Sequence, residues 1–323
     1  MLLGKSLEEL RTYRPALPVA PDFDAFWAST LDRYVNESEP VLTRWDGPLE
    51  TVDVFDITIA GYNNDPIKGW FITPKELNKR VPCVVIFEGY GGGRGLPHEW
   101  LFWPSCGYAV LVMDTRGQGS GHRRGDTPDG SYPVGNHSPG FMTHGVESPE
   151  TYFYRRVYTD AVCFVRAAQK LSNVDPARII VGGGSQGGGI AIAAAGLCPE
   201  VYAAMPDVPF LSHIARAIEM TDGYPYQEIV TYLRGRRDAV EQTLGTIAFF
   251  DGMNFAARAH AHALFSVGMH DPICPPDTVF AAFNHWQGEK SIEVWPYSTH
   301  EGGGVDQQLK QAQWLRSLLL KGE

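Results

Sequence analysis

The strongest constraint on the fold is a set of four near-continuous apolar runs: "VPCVVIFEGYGGG" from Val81, "YAVLVMDTRGQG" from Tyr108, "RIIVGGG" from Arg178 and "HALFSVGMHD" from His262. Each closes on glycines or on a polar turn. A strand apolar on both faces is what the centre of a parallel sheet needs, because helices cover both of its sides. The intervals carry helical spacing. In "PETYFYRRVYTDAVCFVRAAQKL", Phe153, Val157, Ala161, Phe164, Ala168 and Leu171 trace one face, and "PPDTVFAAFNHW" and "VDQQLKQAQWLRSLLL" supply two further helices. Alternation of strand and helix predicts an α/β fold with a doubly wound, mostly parallel sheet. Ahead of it, "VDVFDITIAG" and "IKGWFITP", separated by a turn at Asn63, Asn64 and Asp65, read as antiparallel strands. "DFDAFWASTLDRYV", with Phe23, Phe26, Trp27 and Leu31 in helical register, belongs to an expected N-terminal helical extension over about 1–45. Residues 211–260 show helical spacing and no strand. They read as a helical insertion over the C-terminal edge of the sheet, where such folds keep their ligands. Nothing resembles a linker or a repeat, so 1–323 is read as one domain.

A net charge of -10 argues against nucleic acid or an anionic membrane as partner, since both are polyanions. Aromatic residues at 12% would suit a sugar pocket, although aromatic side chains more often serve as core. The five cysteines, Cys83, Cys106, Cys163, Cys198 and Cys274, are odd in number and form no C-x-x-C pair. Most sit in apolar runs, which points to buried reduced thiols rather than disulfides or a zinc site. The N-terminal stretch lacks a long apolar segment with a cleavage site, and no span is apolar enough for a membrane helix, so a cytoplasmic location is expected.

The glycine-rich stretch around Ser185 can be parsed in two ways. Gly182-Gly183-Gly184-Ser185-Gln186-Gly187 fits the G-x-G-x-x-G turn that cradles a dinucleotide pyrophosphate, with Asp207 about twenty residues on as its ribose contact. Gly183-Gly184-Ser185-Gln186-Gly187 fits the G-x-S-x-G elbow that exposes a nucleophilic serine. A dinucleotide turn opens its domain, whereas at least four strands precede this one. The elbow also demands an acid and then a histidine after later strands. Asp271 ends "ALFSVGMHD" and His300 ends "IEVWPYSTH", in the required chain order. Asp114 precedes the serine and breaks that order, while His270 and His122 read as structural or rim residues. The N–H of Gln186, at a helix start, and the loop "FEGYGGG" are placed to hold an oxyanion. The "RGRR" of Arg234 to Arg237 reads as a solvated helix end.

Three segments, "RGQGS" at Arg116 to Ser120, "GGSQGGG" at Gly183 to Gly189 and "HEGGG" at His300 to Gly304, form a signature. It resembles that of the acetyl xylan esterase/cephalosporin C deacetylase family, carbohydrate esterase family seven, over almost the whole chain. "PDFDAFW", "GDTPD", "DVPFL" and "ICPPDTVFAAFN" extend the likeness. The resemblance implies the α/β-hydrolase fold, with Ser185 as nucleophile, Asp271 as acid and His300 as base. It implies Tyr90 and Gln186 as oxyanion donors, and Tyr90, Pro225 and Ile273 as walls of a small acyl pocket. Arg116, Gln118 and Glu301 are signature residues expected to support the site. No metal or organic cofactor is implied, and the family's ring-like hexamers suggest a homo-oligomer. One position departs: the family usually has histidine where this chain has Glu88. The activity implied is removal of acetyl groups from short xylo-oligosaccharides and from small molecules such as cephalosporin C. Alternatives are an esterase or thioesterase of different acyl specificity, or a hydrolase-fold binding protein; the last predicts a missing triad member, and none is missing.

Overall fold

The architecture follows from where the apolar runs settle in a computed structural model that describes residues 4–35, 38–130 and 138–321. Among the described residues the strands are β1 (Val41–Arg44), β2 (Val52–Ala60), β3 (Pro66–Pro74), β4 (Val81–Ile86), β5 (Ala109–Met113), β6 (Val174–Gly184), β7 (Ala203–Asp207), β8 (His262–Gly268) and β9 (Lys290–Trp295). They form one sheet in the order β1-β2-β3-β5-β4-β6-β7-β8-β9. The pairs from β5 through β4, β6, β7 and β8 to β9 are parallel, and β1, β2 and β3 join antiparallel on the β5 side. β5 is buried along its whole length, whereas β2 buries Val52, Val54, Ile57 and Ile59 in near alternation.

The helices are α1 (Leu7–Thr12), α2 (Phe23–Tyr34), α3 (Phe102–Ser105), α4 (Phe153–Lys170), α5 (Gln186–Leu197), α6 (Ile214–Met220), α7 (Tyr226–Gly235), α8 (Val240–Ala248), α9 (Gly252–Ala256), α10 (Pro276–His285) and α11 (Gly304–Lys321). One apolar layer contains buried side chains of α2, α4, α5, α9 and α10, and the opposite layer sets α3 and the Leu315 and Leu319 side of α11 against the sheet. Residues 211–260 contain α6 to α9. The expected doubly wound sheet is present.

Three local expectations need correction. Among the described residues, the segment over about 1–45 is helical in α1 and α2 and ends in β1; residues 1–3, 36 and 37 lie outside the described residues. "VLTR" is too short to show alternation, and all four of its residues are exposed, so pairing with β2 rather than burial defines it. β7, "AAMPD", carries no β-branched residue and was not anticipated; its place between β6 and β8 makes it a strand. Cys106 is exposed, unlike the other four cysteines.

The side chain of Arg116, just past β5, is fully buried. Its Nε and Nη2 donate to the two carboxylate oxygens of Asp160 on α4 at 2.6 and 2.9 Å, and Nη1 reaches Asp65 at 2.8 Å and Asp129 at 3.1 Å. Arg156 takes Asp129 from the other side at 2.7 Å. These ion pairs tie the β5 loop to the β2–β3 turn and to α4. Removing one partner of such a cluster strands an uncompensated charge in low dielectric. Arg116→Met is therefore expected to destabilise the fold by about 3–5 kcal/mol, read as a fall in the urea midpoint; an unchanged midpoint would show that the cluster contributes nothing.

Candidate active site

The sharpest local feature of the backbone is Ser185, between β6 and α5, at φ 55 and ψ -117. Few non-glycine residues hold a positive φ, and such strain persists only where surroundings enforce it. The Ser185 N–H donates to the Asp207 carbonyl at 2.9 Å, and its own carbonyl accepts from Gly189 at 3.0 Å and Phe210 at 2.9 Å. The flanking glycines make the turn possible. A Cβ on Gly183 would lie 2.3 Å from the Phe87 carbonyl oxygen, and one on Gly187 would lie 2.0 Å from it. The turn presents the Ser185 hydroxyl at the C-terminal edge of the sheet.

Two later strands bring partners to that hydroxyl. His300, after β9, places Nε2 2.9 Å from Ser185 Oγ, and its Nδ1 lies 2.8 Å from Asp271 Oδ2. Asp271, after β8, is fully buried, and its other oxygen accepts the N–H groups of Ile273 at 2.8 Å and Cys274 at 2.9 Å. With a carboxylate accepting at Nδ1, the imidazole proton resides there, leaving Nε2 to accept from the serine. Such a chain can transfer a proton from hydroxyl to imidazole as the oxygen attacks a carbonyl carbon. The structure thus brings together Ser185, Asp271 and His300. His270 is outside that chain of bonds, and its N–H donates to the Ser298 carbonyl at 2.9 Å.

Glu301 meets α11 through its backbone, its carbonyl accepting the Gly304 N–H at 2.8 Å, while its side chain turns to Thr299. Its carboxylate accepts the Thr299 hydroxyl at 2.6 Å and the Thr299 N–H at 2.9 Å, which fixes the turn carrying His300. The bond from the Thr299 hydroxyl, followed by other local hydrogen bonds, lowers its pKa to about 2.

Gln186 turns its side chain away from the serine. The amides of Gln186 and Gln118 pair reciprocally at 2.9 and 3.1 Å, Tyr154 donates to Gln186 Oε1 at 3.0 Å, and Gln186 Nε2 reaches the Glu88 carbonyl at 3.2 Å. Gln118 Oε1 also accepts the Gly91 N–H at 2.7 Å. One buried amide pair therefore joins the start of α5, which carries the Gln186 N–H, to the 88–91 loop, which carries the Tyr90 N–H. Arg116 stays outside the cavity, in the ion cluster described above.

Glu88, buried beside this loop, accepts from Gly89 N–H at 2.9 Å and Arg123 at 2.8 Å, and pairs with His122 Nε2 at 3.1 Å. Its bond to His122 is the largest influence raising that imidazole's pKa, so His122 takes up a proton more readily than an ordinary histidine. Asp114 is occupied elsewhere: it accepts from Arg94, Asp126 and Thr127 at 2.8, 2.6 and 2.8 Å. The Asp207 carboxylate, raised to about 6 by burial, accepts from Gln307 and Gln311 on α11, as a ribose contact would not.

A cavity of about 660 Å³ opens over the serine, lined by Ser185, His300, Tyr90, Pro225 and Ile273 among others. All three expected wall residues border it. Glu228 on α7 borders it as well and escaped the sequence reading; its signal was a carboxylate in the first turn of a helix that opens directly after Pro225. The Tyr90 hydroxyl donates to Glu228 at 2.6 Å and accepts the Phe141 N–H at 2.9 Å, while Glu228 accepts the Met142 N–H at 3.0 Å. Burial pushes both the Tyr90 phenol and the Glu228 carboxyl above their ordinary pKa values. Asp271, Cys274 and His300 bring one metal-ligating atom each within 4.8 Å of one another. The first and last already bond each other, and burial raises the Cys274 thiol well above its ordinary pKa, away from the thiolate a metal prefers.

The chain is similar to several known proteins. The sequence model described as acetyl xylan esterase (AXE1) matches residues 1–318. An acetyl xylan esterase from Paenibacillus sp. R4 superposes with a TM-score of 0.88 at 36% identity, covering 97% of this chain and 99% of its own. Acetyl xylan esterase 1 from Thermoanaerobacterium sp. JW/SL YS485 does so with a TM-score of 0.87 at 30% identity, over 96% and 99% of the two chains. Acetyl esterase Axe7A of Xylanibacter ruminicola is 27% identical over 289 residues, which is 86% of this chain and 63% of that protein. This chain thus spans somewhat under two thirds of that curated relative. An acylaminoacyl peptidase from Pyrococcus horikoshii, at 14% identity and a TM-score of 0.62 over 84% of this chain and 41% of its own, shares the fold alone. By its matched length, and by two structures near its full span, the chain belongs to the acetyl xylan esterase family, carboxylic ester hydrolases of the α/β-hydrolase fold.

Proposed function

We propose that the chain is a serine esterase that removes acetyl groups from short acetylated xylo-oligosaccharides and from small acetylated molecules such as cephalosporin C. The unbroken hydrogen-bond chain from Ser185 through His300 to Asp271, at the base of the cavity, carries this reading. In it, Ser185 Oγ attacks the acetyl carbonyl while His300 takes its proton, and Asp271 stabilises the imidazolium that forms. The tetrahedral oxygen rests against the N–H groups of Tyr90 and Gln186, each donor contributing ~2.7–4 kcal/mol. His300 then returns the proton to the leaving alcohol, and water releases acetate from the acetyl-serine by the same steps. Tyr90, Pro225 and Ile273 border the acetyl methyl. The reaction needs no metal or organic cofactor.

The reading also takes the enzyme to be cytoplasmic and to assemble as the hexamer of its family, with small ester substrates rather than polymer. Among the described residues, no helix is long and apolar enough to cross a membrane.

Three outcomes test it. Ser185→Ala should lower kcat for p-nitrophenyl acetate on the order of 10⁶-fold with an unchanged circular dichroism spectrum, as removing a triad serine does elsewhere. Retained turnover would overturn the assignment. If the acetyl pocket is closed, kcat/KM for p-nitrophenyl acetate should exceed that for the butyrate by about tenfold or more, whereas equal values would favour an esterase of broader acyl range. Tyr90→Phe and Glu228→Gln should each lower kcat for acetate esters about tenfold, the scale of one lost hydrogen bond, and the double variant should lose little more. Additive losses would show that the two side chains act apart.

A further inference from the structure

A second cavity, of about 350 Å³, adjoins the one over Ser185, and both are bordered by Gly184 and Asp207. The two interlock along the chain. His122 borders the first and Arg123 the second, while Glu301 borders the first and Gly304 the second. The volume lies within the usual range of small-molecule sites, about 300–1,000 Å³. None of the steps proposed at Ser185 uses it.

Its lining combines two chemistries. Trp100, Phe102 and Trp103 supply aromatic surface. Arg123, Gln308 and Gln311 supply donors, and Glu99 and Asp207 supply carboxylates, Glu99 already accepting one bond from Arg123 and Asp207 one from Gln311. Arg123 is held in place rather than left mobile: Nε donates to Glu99 at 2.7 Å, Nη1 to Glu88 at 2.8 Å, and the guanidinium stacks over Trp100 at 4.6 Å. Those contacts engage two of the five N–H donors a guanidinium offers. At the shared border, nothing lies within 4 Å of where a Cβ on Gly184 would sit, and its φ is not left-handed. Neither packing nor backbone twist demands glycine there, so the residue leaves room between the two cavities.

The mixture discriminates among ligands. Two carboxylates disfavour an anion, and amides with a guanidinium disfavour a long acyl chain, which could satisfy none of them. A pyranose offers what the lining asks for: C–H faces for the aromatic rings, and hydroxyls that both donate and accept.

We propose that this second cavity is the subsite for the sugar side of the ester, holding an unacetylated xylosyl unit next to the one whose acetyl group reaches Ser185. The inference rests on the acetyl esterase reading of that site and extends it to the leaving group. A xylan fragment would then be held on both sides of the scissile bond, with its acetyl group over Ser185 and its neighbouring ring against Trp100 and Phe102.

Xylobiose, which has no acetyl group, probes this subsite alone. Titrated calorimetrically into the unaltered protein, it should bind. Gln308→Trp, which fills the cavity from its rim, should weaken that binding about tenfold, equivalent to 1.4 kcal/mol, while kcat/KM for p-nitrophenyl acetate stays within about twofold. Val305→Trp, at another border of the same cavity, should do likewise and serves if the first variant fails to fold. Xylobiose that does not bind the unaltered protein, or binds unaltered protein and folded variants equally, overturns the proposal. Either result leaves Ser185 as the nucleophile, because that assignment is tested separately by whether Ser185→Ala keeps acetate hydrolysis.

Discussion

Everything at the site depends on one backbone turn. Ser185 adopts a conformation that side chains avoid, and strain of that kind costs of order 1–3 kcal/mol. The turn is kept because the Phe87 carbonyl passes too close to Gly183 and Gly187 for any side chain, and because Asp207, Gly189 and Phe210 hold the serine's own backbone from three directions. The hydroxyl therefore meets the cavity without a search over rotations of the chain. Parallel strands supply the rest. β4, β6, β8 and β9 run in one direction, so the loops after them carry Tyr90, Ser185, Asp271 and His300 to a single edge.

Around the triad, buried polar groups act on geometry rather than on substrate. The Gln118–Gln186 amide pair joins the loops that carry the N–H groups of Tyr90 and Gln186, so the donors of the proposed oxyanion site are held in place in advance. Preorganisation of that kind is what makes such donors effective. Arg116 does the same at a larger scale, through carboxylates from a turn, a loop and a helix. Glu88 is held by Arg123 and His122, and it does not border the cavity over Ser185.

One helix, α7, shapes the chamber. α7 brings Glu228 to the Tyr90 hydroxyl and Pro225 to the cavity wall. The acylaminoacyl peptidase of low identity shares the fold alone, and a shared fold does not carry a shared function.

Much of the site was legible in the chain because the G-x-S-x-G elbow, the acid and the histidine each follow an apolar run, and both strand order and chain order constrain where they meet. The central strands were legible because they are apolar on both faces, whereas β1 and β7 were not, being defined by neighbours rather than by composition. Glu228 was hidden for a related reason: its partners, Tyr90 and Met142, are 138 and 86 residues away in sequence. The sequence by itself determined the alternating fold, the signature segments and the order of serine, aspartate and histidine, since periodicity and local turn chemistry are properties of neighbouring residues. Only the tertiary structure decided that Gln186 faces inward, that Arg116 lies within a carboxylate cluster and that two cavities share Gly184, because burial and hydrogen-bond partnership depend on segments that meet only after the chain has closed on itself.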